Sequence, residues 1–262
     1  MTRPLAAITG ASSGIGAEFA RQLAAKKYDL LLIARRKERL EQLSAELQGS
    51  FGITSEVLEA DLTDERKCLE VAARLEASEN LDLLVNNAGF LMLGEFFRMD
   101  VESQDRMNRL HVIAPMRLSH AALKGMVRRN RGGLINVSSL GAFFESPGMA
   151  SYCASKCWMN SFTEGLYLDL YSTGSLVKVQ ALCPGYTRTE IFEAMDYTPE
   201  NISPSLWLKA EDVIAESLRG LDKGKLFVVP GWRYKFVAMV AATFLNLIPP
   251  RLRPRIMSLF LR

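Results

Sequence analysis

The glycine-rich segment near the N-terminus constrains the fold more than any other part of the sequence. An apolar run over residues 5–8 is followed by T-G-A-S-S-G-I-G and then by apolar residues at helical spacing, which predicts a strand, a tight turn and the start of a helix. Gly10, Gly14 and Gly16 allow the backbone to approach a pyrophosphate, and the helix N-terminus supplies free N–H groups. The spacing G-x-x-x-G-x-G differs from the dinucleotide fingerprint G-x-G-x-x-G. A glycine-rich turn can also be only a turn, so the segment alone leaves cofactor binding open.

A second motif brings a phenol near an ammonium group. Tyr152 and Lys156 stand four residues apart in Y-C-A-S-K, and Ser139 lies thirteen residues before the tyrosine in I-N-V-S-S. In a helix Tyr152 and Lys156 share one face, where the charge of the lysine favours the ionised phenol and lowers its pKa. A tyrosine with a lowered pKa is a usable proton donor near neutral pH. Such pairs also arise by chance on solvated helices, so this motif gains its weight from the glycine-rich segment.

Strand and helix patterns alternate along the chain, which predicts an α/β fold with a doubly wound parallel sheet of about seven strands and helices on both faces. The predicted strands cover residues 5–9, 28–34, 54–60, 81–86, 133–138, 178–183 and 226–229. The predicted helices cover residues 15–26, 36–48, 65–78, 101–129, 152–171 and 210–220. With 262 residues, 48% of them hydrophobic, the chain can bury one large core, so we expect residues 1–262 to form a single domain.

These motifs together resemble the short-chain dehydrogenase/reductase family, and the resemblance extends along nearly the whole chain. N-N-A-G at residues 86–89 follows an apolar run, as it follows the fourth strand of the family. Asp61-Leu62 resembles the pair that closes the third strand. Pro184-Gly185 resembles the turn that passes the nicotinamide. The resemblance implies a Rossmann-like oxidoreductase, and it implies cofactor-binding roles for the following residues: Gly10, Ser12, Ser13, Gly14, Ile15, Gly16, Arg35, Arg36, Asp61, Leu62, Asn87, Ala88, Gly89, Tyr152, Lys156, Pro184, Gly185, Thr187 and Thr189.

The choice of cofactor is readable at the end of the second predicted strand. Arg35 and Arg36 stand where a cofactor without a 2′-phosphate usually meets an acidic residue that binds the ribose hydroxyls. Two guanidinium groups attract a phosphate and can hold it bidentately, with help from Ser13. The sequence therefore predicts NADP(H). The alternative is that both arginines are the solvated start of the next helix, where Lys37 and Arg39 continue the run of charge.

The family resemblance assigns a role to each polar residue of the second motif. In reduction, the nicotinamide delivers a hydride to the carbonyl carbon while Tyr152 protonates the developing alkoxide. Ser139 donates a hydrogen bond to the same oxygen, and Lys156 holds the nicotinamide ribose and lowers the pKa of the tyrosine. Ser138 is the competing serine. The spacing to Tyr152 favours Ser139, and we expect Ser138 to turn into the packed strand.

One position departs from the family pattern. The family usually has an asparagine in its fourth helix, and the backbone there holds a water that links the lysine to solvent. The spacing from Gly89 and from Ser139 places the position of this asparagine at His111. Asn108, one helical turn earlier, is the alternative residue for this position. As a catalytic residue in this relay, His111 would titrate between about pH 5.5 and 7.5, whereas a packed histidine would not. The departure also leaves open a protein that binds NADP(H) with weak or no turnover.

The composition disfavours several other classes of protein. The chain has two histidines, and its four cysteines show no C-x-x-C spacing, so a metal site is not expected: Cys68, Cys153, Cys157 and Cys183. The first predicted strand starts within a few residues of the N-terminus. We therefore expect no signal peptide, and a cytoplasmic protein with reduced thiols.

The C-terminal part, residues 223–262, carries a separate signal. It has eight basic residues and no acidic ones, whereas the preceding part has 24 basic and 29 acidic residues, a formal charge of −5. Residues 236–248 are mostly apolar but too few for an ordinary membrane span of about twenty. The segment suits a helix that caps the substrate pocket or packs in a homo-oligomer, a dimer or tetramer. Peripheral contact with an anionic membrane is the alternative, and nucleic-acid binding is disfavoured because no recognised fold or aromatic platform is present.

Three function classes stay in view. The main expectation is an NADPH-dependent enzyme that interconverts a carbonyl and an alcohol, and the others are a cofactor-binding protein with little turnover and a peripheral membrane scaffold. Turnover of any carbonyl and co-sedimentation with anionic vesicles separate the three. The predicted substrate loop, residues 189–209, favours a fatty-acyl, steroid-like or aromatic carbonyl because it contains five large apolar side chains: Ile191, Phe192, Met195, Tyr197 and Trp207.

Overall fold

A seven-stranded parallel sheet forms the centre of residues 3–190, 203–244 and 252, the part of the chain described in this computed structural model. The strands are β1 Leu5–Thr9, β2 Asp29–Ala34, β3 Ser55–Glu59, β4 Leu81–Asn86, β5 Gly133–Val137, β6 Lys178–Leu182 and β7 Phe227–Val228. Their order across the sheet is β3-β2-β1-β4-β5-β6-β7, and each neighbouring pair is parallel. This order confirms the predicted doubly wound, Rossmann-like sheet.

Helices cover both faces of the sheet because successive strand residues point in opposite directions. The helices are α1 Gly14–Ala25, α2 Lys37–Phe51, α3 Glu65–Glu76, α4 Val101–Asn108, α5 Ala114–Arg128, α6 Ala150–Ser172, α7 Ala210–Asp222 and α8 Trp232–Phe244. In β1, Ala6 and Ile8 belong to a hydrophobic cluster with α1, α2 and α7, whereas Leu5 and Ala7 belong to one with α3, α5 and α6. A third, smaller cluster packs α8, through Tyr234, against residues that follow β5.

The chain reverses its direction across the sheet between β1 and β4, and open α/β sheets bind their ligands at such a reversal. Thr9 ends β1, and its Oγ1 accepts hydrogen bonds from the backbone N–H groups of Asn87 at 2.9 Å and Ala88 at 3.0 Å. The Asn87 side chain donates in return to the carbonyl oxygen of Thr9 at 2.8 Å. The glycine-rich turn and the N-N-A-G turn are therefore held side by side at the carboxyl edge of the sheet.

The predicted helix over residues 101–129 is wrong in one respect. The structure divides it into α4, a π-helical segment Arg109–Ile113 and α5, and the N–H of Ala114 donates to the carbonyl of Arg109, five residues earlier. A regular α-helix would need the N–H of residue 115 to donate to the carbonyl of His111, and Pro115 has no N–H. The proline therefore interrupts the α-helical pattern at His111, the position that departs from the family pattern. Single π-turns often mark functional sites.

The C-terminal part is described only up to Phe244 and at Leu252. Several residues singled out in the sequence lie outside the described residues: Ile191, Phe192, Met195, Tyr197, Arg251, Arg253, Arg255 and Arg262. Among the helices of residues 3–190 and 203–244, none combines the length and apolar character needed to cross a membrane. In the same ranges no group of three His, Cys, Asp or Glu side chains is arranged to hold a metal ion. The homo-oligomer and the membrane contact stay predictions.

Candidate active site

A cleft with a volume of about 640 Å³ follows the carboxyl edge of the sheet across the reversal between β1 and β4. It brings together residues from all the sequence motifs. Every predicted site residue lines it except Gly16, which packs against the glycine-rich turn instead. A Cβ atom added at Gly16 would lie 2.2 Å from the carbonyl oxygen of Gly10. Gly16 therefore permits close packing within the turn.

The glycine-rich turn forms one wall of the cleft with its backbone. Gly10 and Gly14 have φ values of +66° and +52°, in the left-handed region that favours glycine. A Cβ atom at Gly10 would lie 2.9 Å from Cα of Ala88, and one at Gly14 would lie 3.1 Å from Cβ of Thr189. Because α1 begins at Gly14, its first N–H groups lack intrahelical partners and suit an anion. This backbone fits the pyrophosphate of a dinucleotide.

Arg36 is bonded into the glycine-rich turn. Its Nε and Nη2 atoms donate to Ser12 Oγ at 3.2 and 3.1 Å, and Nη2 donates to Ser13 Oγ at 2.5 Å. Its third nitrogen, Nη1, lies 3.1 Å from the carboxylate of Glu190, which Arg39 also contacts at 2.7 Å. Arg36 is exposed at the start of α2, and its bonds to the glycine-rich turn favour the cofactor-binding prediction over the alternative of a solvated helix start.

Asp61 lies at the same end of the cleft, beyond the end of β3. Its carboxylate is 3.9 Å from a guanidinium nitrogen of Arg35 and 3.9 Å from one of Arg106. Burial acts to raise the pKa of Asp61, but hydrogen bonds from Thr63 and the charges of Arg35 and Arg106 lower it below its usual value. Asp61 is therefore a stable hydrogen-bond acceptor at neutral pH.

Tyr152, Lys156 and Ser139 converge on the region of the cleft between β5 and α6. Lys156 Nζ donates to the carbonyl of Val137 at 3.0 Å and lies 5.7 Å from the centroid of the Tyr152 ring. Ser139 Oγ accepts the backbone N–H of Gly141 at 3.1 Å, and Ser139 is also hydrogen-bonded to Tyr152. The competing Ser138 is 3% exposed and donates to the carbonyl of Lys156. These contacts favour Ser139 over Ser138 as the partner of the tyrosine.

The electrostatics of this group correct one prediction. Desolvation raises the pKa of Tyr152 to about 12, although the hydrogen bond with Ser139 acts to lower it. Desolvation also lowers the pKa of Lys156 to about 8. The predicted lowering of the tyrosine pKa is therefore wrong in this structure. Burial disfavours the charged forms of both Tyr152 and Lys156. The Lys156 ammonium lies over the Tyr152 ring and donates to the carbonyl of Val137.

His111 is 1% exposed and held on both sides of its ring. Nε2 accepts the backbone N–H of Phe90 at 3.2 Å, and Nδ1 lies 3.0 Å from Ser155 Oγ. Ser155 uses its own hydrogen to donate to the carbonyl of Tyr152 at 2.7 Å, so Nδ1 must carry the proton that joins His111 to Ser155. Both ring nitrogens are thus satisfied in the neutral form. The alternative, Asn108, is exposed on α4.

The surroundings of His111 favour the packed histidine over the predicted titration near neutral pH. Burial lowers its pKa well below 6.5, and the nearby charge of Lys156 lowers it further. His111 instead joins the second turn of α6 to the residue after N-N-A-G, through Ser155 and Phe90. Its ring also contacts the edge of the Tyr152 ring, with centroids 5.8 Å apart. These contacts describe a packed, neutral histidine.

The Pro184-Gly185 turn is supported from behind by α8. A Cβ atom at Gly185 would lie 2.4 Å from Cζ of Tyr234. The Tyr234 hydroxyl donates to the carbonyl of Leu206 at 2.6 Å and accepts the N–H of Tyr186 at 3.3 Å. The aromatic ring therefore fixes the turn that the sequence assigns to the nicotinamide.

Sequence reasoning missed two groups of cleft residues. Leu140, Phe144 and Met149 form an apolar wall beside the polar group. All three lie between the serine and tyrosine motifs, so their position in the chain was a usable signal. Glu190 and its ion pair with Arg39 were also missed, and no local pattern indicates a contact over 151 residues of sequence.

The profile of the family described as short chain dehydrogenase matches residues 4–199. The chain belongs to this family. A solved short-chain dehydrogenase from Sphingobium yanoikuyae, in complex with NADPH, is 33% identical, with a TM-score of 0.82 over 97% of this chain and 95% of that one. The bulky-bulky ketone specific alcohol dehydrogenase from Comamonas testosteroni is 30% identical, with a TM-score of 0.80 over 95% and 96% of the two chains.

Curated relatives of this short-chain dehydrogenase include a very-long-chain 3-oxoacyl-CoA reductase from Anas platyrhynchos. It is 28% identical over 249 residues, which cover 93% of this chain and 78% of that protein. The two solved relatives confirm the fold and the oxidoreductase class of the chain. The roles of individual cleft residues are inferred from their contacts and distances in the cleft.

Proposed function

We propose that this short-chain dehydrogenase interconverts a carbonyl and an alcohol on an apolar substrate with NADP(H). The observation that carries the proposal is that Ser139, Tyr152 and Lys156 line the same cleft as Arg35 and Arg36. The arginines follow β2, Ser139 follows β5, and Tyr152 and Lys156 belong to α6; β1 and β4 separate β2 from β5 in the sheet. The cleft therefore spans an anion-binding end and a proton-donating end, with the glycine-rich turn between them.

Tyr152 and Ser139 act on the oxygen of the substrate. The bound nicotinamide supplies or accepts the hydride. Tyr152 gives its phenolic proton to the developing alkoxide in reduction and takes it back in oxidation. Ser139 already accepts the N–H of Gly141 at 3.1 Å, which leaves its hydroxyl hydrogen for donation within the cleft. The two hydroxyls thus orient one carbonyl oxygen.

Lys156 supports the proton transfer. Its ammonium has three donors, and one is held by Val137, so two remain for the ribose hydroxyls of the cofactor. The ammonium over the Tyr152 ring attracts the negative charge that forms on the phenolate, an effect smaller than the burial that raises the pKa of Tyr152. Because the pKa of Lys156 is about 8, a modest change in surroundings alters its charge near neutral pH.

NADP(H) is preferred over NAD(H) because the adenosine end of the cleft is cationic and rich in donors. Arg36 and the hydroxyls of Ser12 and Ser13 form one hydrogen-bonded group. A 2′-phosphate accepts hydrogen bonds from a guanidinium and from both serine hydroxyls. The relative from Sphingobium yanoikuyae, which is complexed with NADPH, also supports this choice.

An apolar substrate follows from the wall formed by Leu140, Phe144 and Met149. Apolar walls with a few convergent polar groups are typical of small-molecule sites. The names of two relatives, a bulky-bulky ketone specific alcohol dehydrogenase and a very-long-chain 3-oxoacyl-CoA reductase, support a large carbonyl substrate.

The replacement Tyr152→Phe tests this function. It should lower the single-turnover rate of hydride transfer at least about a hundredfold, because it removes only the proton donor, while NADPH binding stays near the wild-type value. Tyr28→Phe is the matched control, because Tyr28 donates to Asp82 at 3.0 Å outside the cleft. A near-normal rate in Tyr152→Phe refutes the assignment. A wild-type protein that binds NADPH but turns over no aldehyde or ketone from a broad panel favours the cofactor-binding alternative.

A further inference from the structure

The carboxylate of Glu190 lies between the guanidinium groups of Arg36 and Arg39. Its two oxygens are 2.9 and 2.7 Å from Nη1 of Arg39, and one of them is 3.1 Å from Nη1 of Arg36. The three side chains keep between 44% and 47% of their surface exposed, and Glu190 lines the cleft. A carboxylate with access to solvent therefore occupies the arginine group at the adenosine end.

Arg36 of this group is also one of the two arginines that the proposed function assigns to the 2′-phosphate. The remaining nitrogens of Arg36 donate to Ser12 and Ser13, so Nη1, which holds Glu190, is the nitrogen left for a further acceptor. Carboxylates and phosphates bind guanidinium groups through the same charge-assisted hydrogen bonds. The two anions therefore compete for one set of donors.

The backbone around Glu190 is held without the ion pair. Thr189 packs against the glycine-rich turn, where a Cβ at Gly14 would meet its side chain at 3.1 Å. Thr187 forms a parallel bridge with Leu208, and the N–H of Arg188 donates to the carbonyl of Leu208 at 3.0 Å. Removing the charge of Glu190 should therefore leave this part of the cleft wall in place.

We propose that Glu190 determines cofactor specificity: its carboxylate competes with the 2′-phosphate of NADP(H) for Arg36 and Arg39, and so limits the preference for NADP(H) over NAD(H). The inference rests on the proposed NADP(H) site. It also makes Arg39 a member of that site. NAD(H) has no 2′-phosphate, so its binding is independent of this competition.

The test compares cofactor affinities of the full-length protein and Glu190→Gln. Fluorescence titration with NADPH and NADH is combined with calorimetric titration of 2′,5′-ADP and 5′-AMP, two adenosine fragments that differ in the 2′-phosphate and take no part in turnover. Glutamine keeps the size and an acceptor oxygen but removes the charge. NADPH and 2′,5′-ADP should bind about three- to tenfold more tightly to the variant, the range expected for loss of one exposed charged competitor. NADH and 5′-AMP should bind as before.

Glu46→Gln is the matched control. Glu46 accepts two hydrogen bonds from Arg21, at 3.0 and 3.2 Å, with exposed fractions of 48% and 44%, on the outer surface between α1 and α2. Its replacement removes the same charge and should change none of the four affinities. Arg39→Gln should weaken binding of NADPH and 2′,5′-ADP. In the Arg39→Gln background Glu190→Gln should have a smaller effect, because the two residues are coupled.

The outcomes separate this inference from the proposed cofactor preference. If Glu190→Gln leaves NADPH affinity unchanged, weakens it, or changes NADPH and NADH alike, Glu190 has only a structural role and the inference is overturned. The preference itself is tested by replacing Arg35 and Arg36. If the wild type binds both cofactors equally and Glu190→Gln creates a preference for NADPH, the competition stands while the proposed preference of the wild type fails. A melting temperature within the range of the Glu46→Gln control verifies that the variant is folded.

Discussion

Replacing Lys156 with methionine should raise the stability of the cofactor-free protein near neutral pH, although it removes a residue that we assign to the active site. Lys156 is 6% exposed, and burial lowers its pKa from an ordinary value of 10.5 to about 8. At neutral pH, folding therefore transfers a charged amine into surroundings that disfavour its charge. Methionine has a similar length and carries no charge.

The size of the effect follows from the pKa difference. At 1.36 kcal/mol per pH unit, the buried charge costs roughly 3 kcal/mol at pH 7. The variant also deprives the carbonyl of Val137 of its donor at 3.0 Å, which costs about 1–3 kcal/mol and leaves a small net gain. The pH dependence is the more decisive quantity. Between pH 8 and 10.5 Lys156 binds more protons in the unfolded chain than in the folded one, so its unfavourable contribution to stability shrinks as the pH rises in this window.

Urea unfolding at several values between about pH 7 and 9.5 measures this change. The free energy of unfolding of the wild type should increase by about 2 kcal/mol relative to Lys156→Met across that range. The range ends below pH 10 because burial raises the pKa of Tyr28, Tyr152 and Tyr234 to about 12, which lowers stability at higher pH. Lys124→Met, at an exposed ion pair, is the control and should track the wild type. A constant difference between wild type and Lys156→Met would falsify the argument from burial.

Three further outcomes are expected. The Arg35→Ala/Arg36→Ala double variant should lose a preference for NADPH over NADH of at least about tenfold, because charged hydrogen bonds to the phosphate are removed; fluorescence titration with unchanged preference would contradict this. His111→Asn should leave the pH–rate profile between about 5.5 and 7.5 unchanged, because burial lowers the pKa of the histidine well below its ordinary value, and should lower the melting temperature; loss of a pH-dependent step in the variant would restore His111 to the relay. Thr9→Val should lower the free energy of unfolding by about 1–3 kcal/mol, because the N–H groups of Asn87 and Ala88 lose their acceptor, and an unchanged urea midpoint would count against the role of Thr9.

The sheet and the content of the cleft were predictable because both depend on local patterns. The segment L-D-L-L-V-N is a short apolar run that ends at turn residues, and β4 has the predicted bounds Leu81–Asn86. Parallel strands bring their carboxyl ends to one edge, so motifs that follow β1, β2, β4, β5 and β6 must meet there. Tyr152 and Ser139 therefore share a cleft although different elements carry them.

The remaining features depend on the folded surroundings. The pKa of Tyr152 is set by burial, whereas the sequence shows only that Lys156 is four residues away. The contact between Arg36 and Glu190 joins residues 154 positions apart and follows from the path of the backbone across the glycine-rich turn. His111 became a packed residue because Ser155 and the N–H of Phe90 satisfy both ring nitrogens. Neither partner is adjacent to it in the sequence.

The ring of Tyr234 behind Gly185 has a consequence for how this protein can change during evolution. Any side chain at position 185 would meet the ring at about 2.4 Å from Cζ, so the glycine is required by α8 as well as by the turn itself. Homologues that carry a larger residue at position 185 should therefore have a smaller residue at position 234, and the two positions should covary. Loss of the Tyr234 ring would free position 185 for substitution, but it would also release the turn from its bonds to Tyr186 and Leu206. We therefore expect α8 and the Pro184-Gly185 turn to change together in evolution.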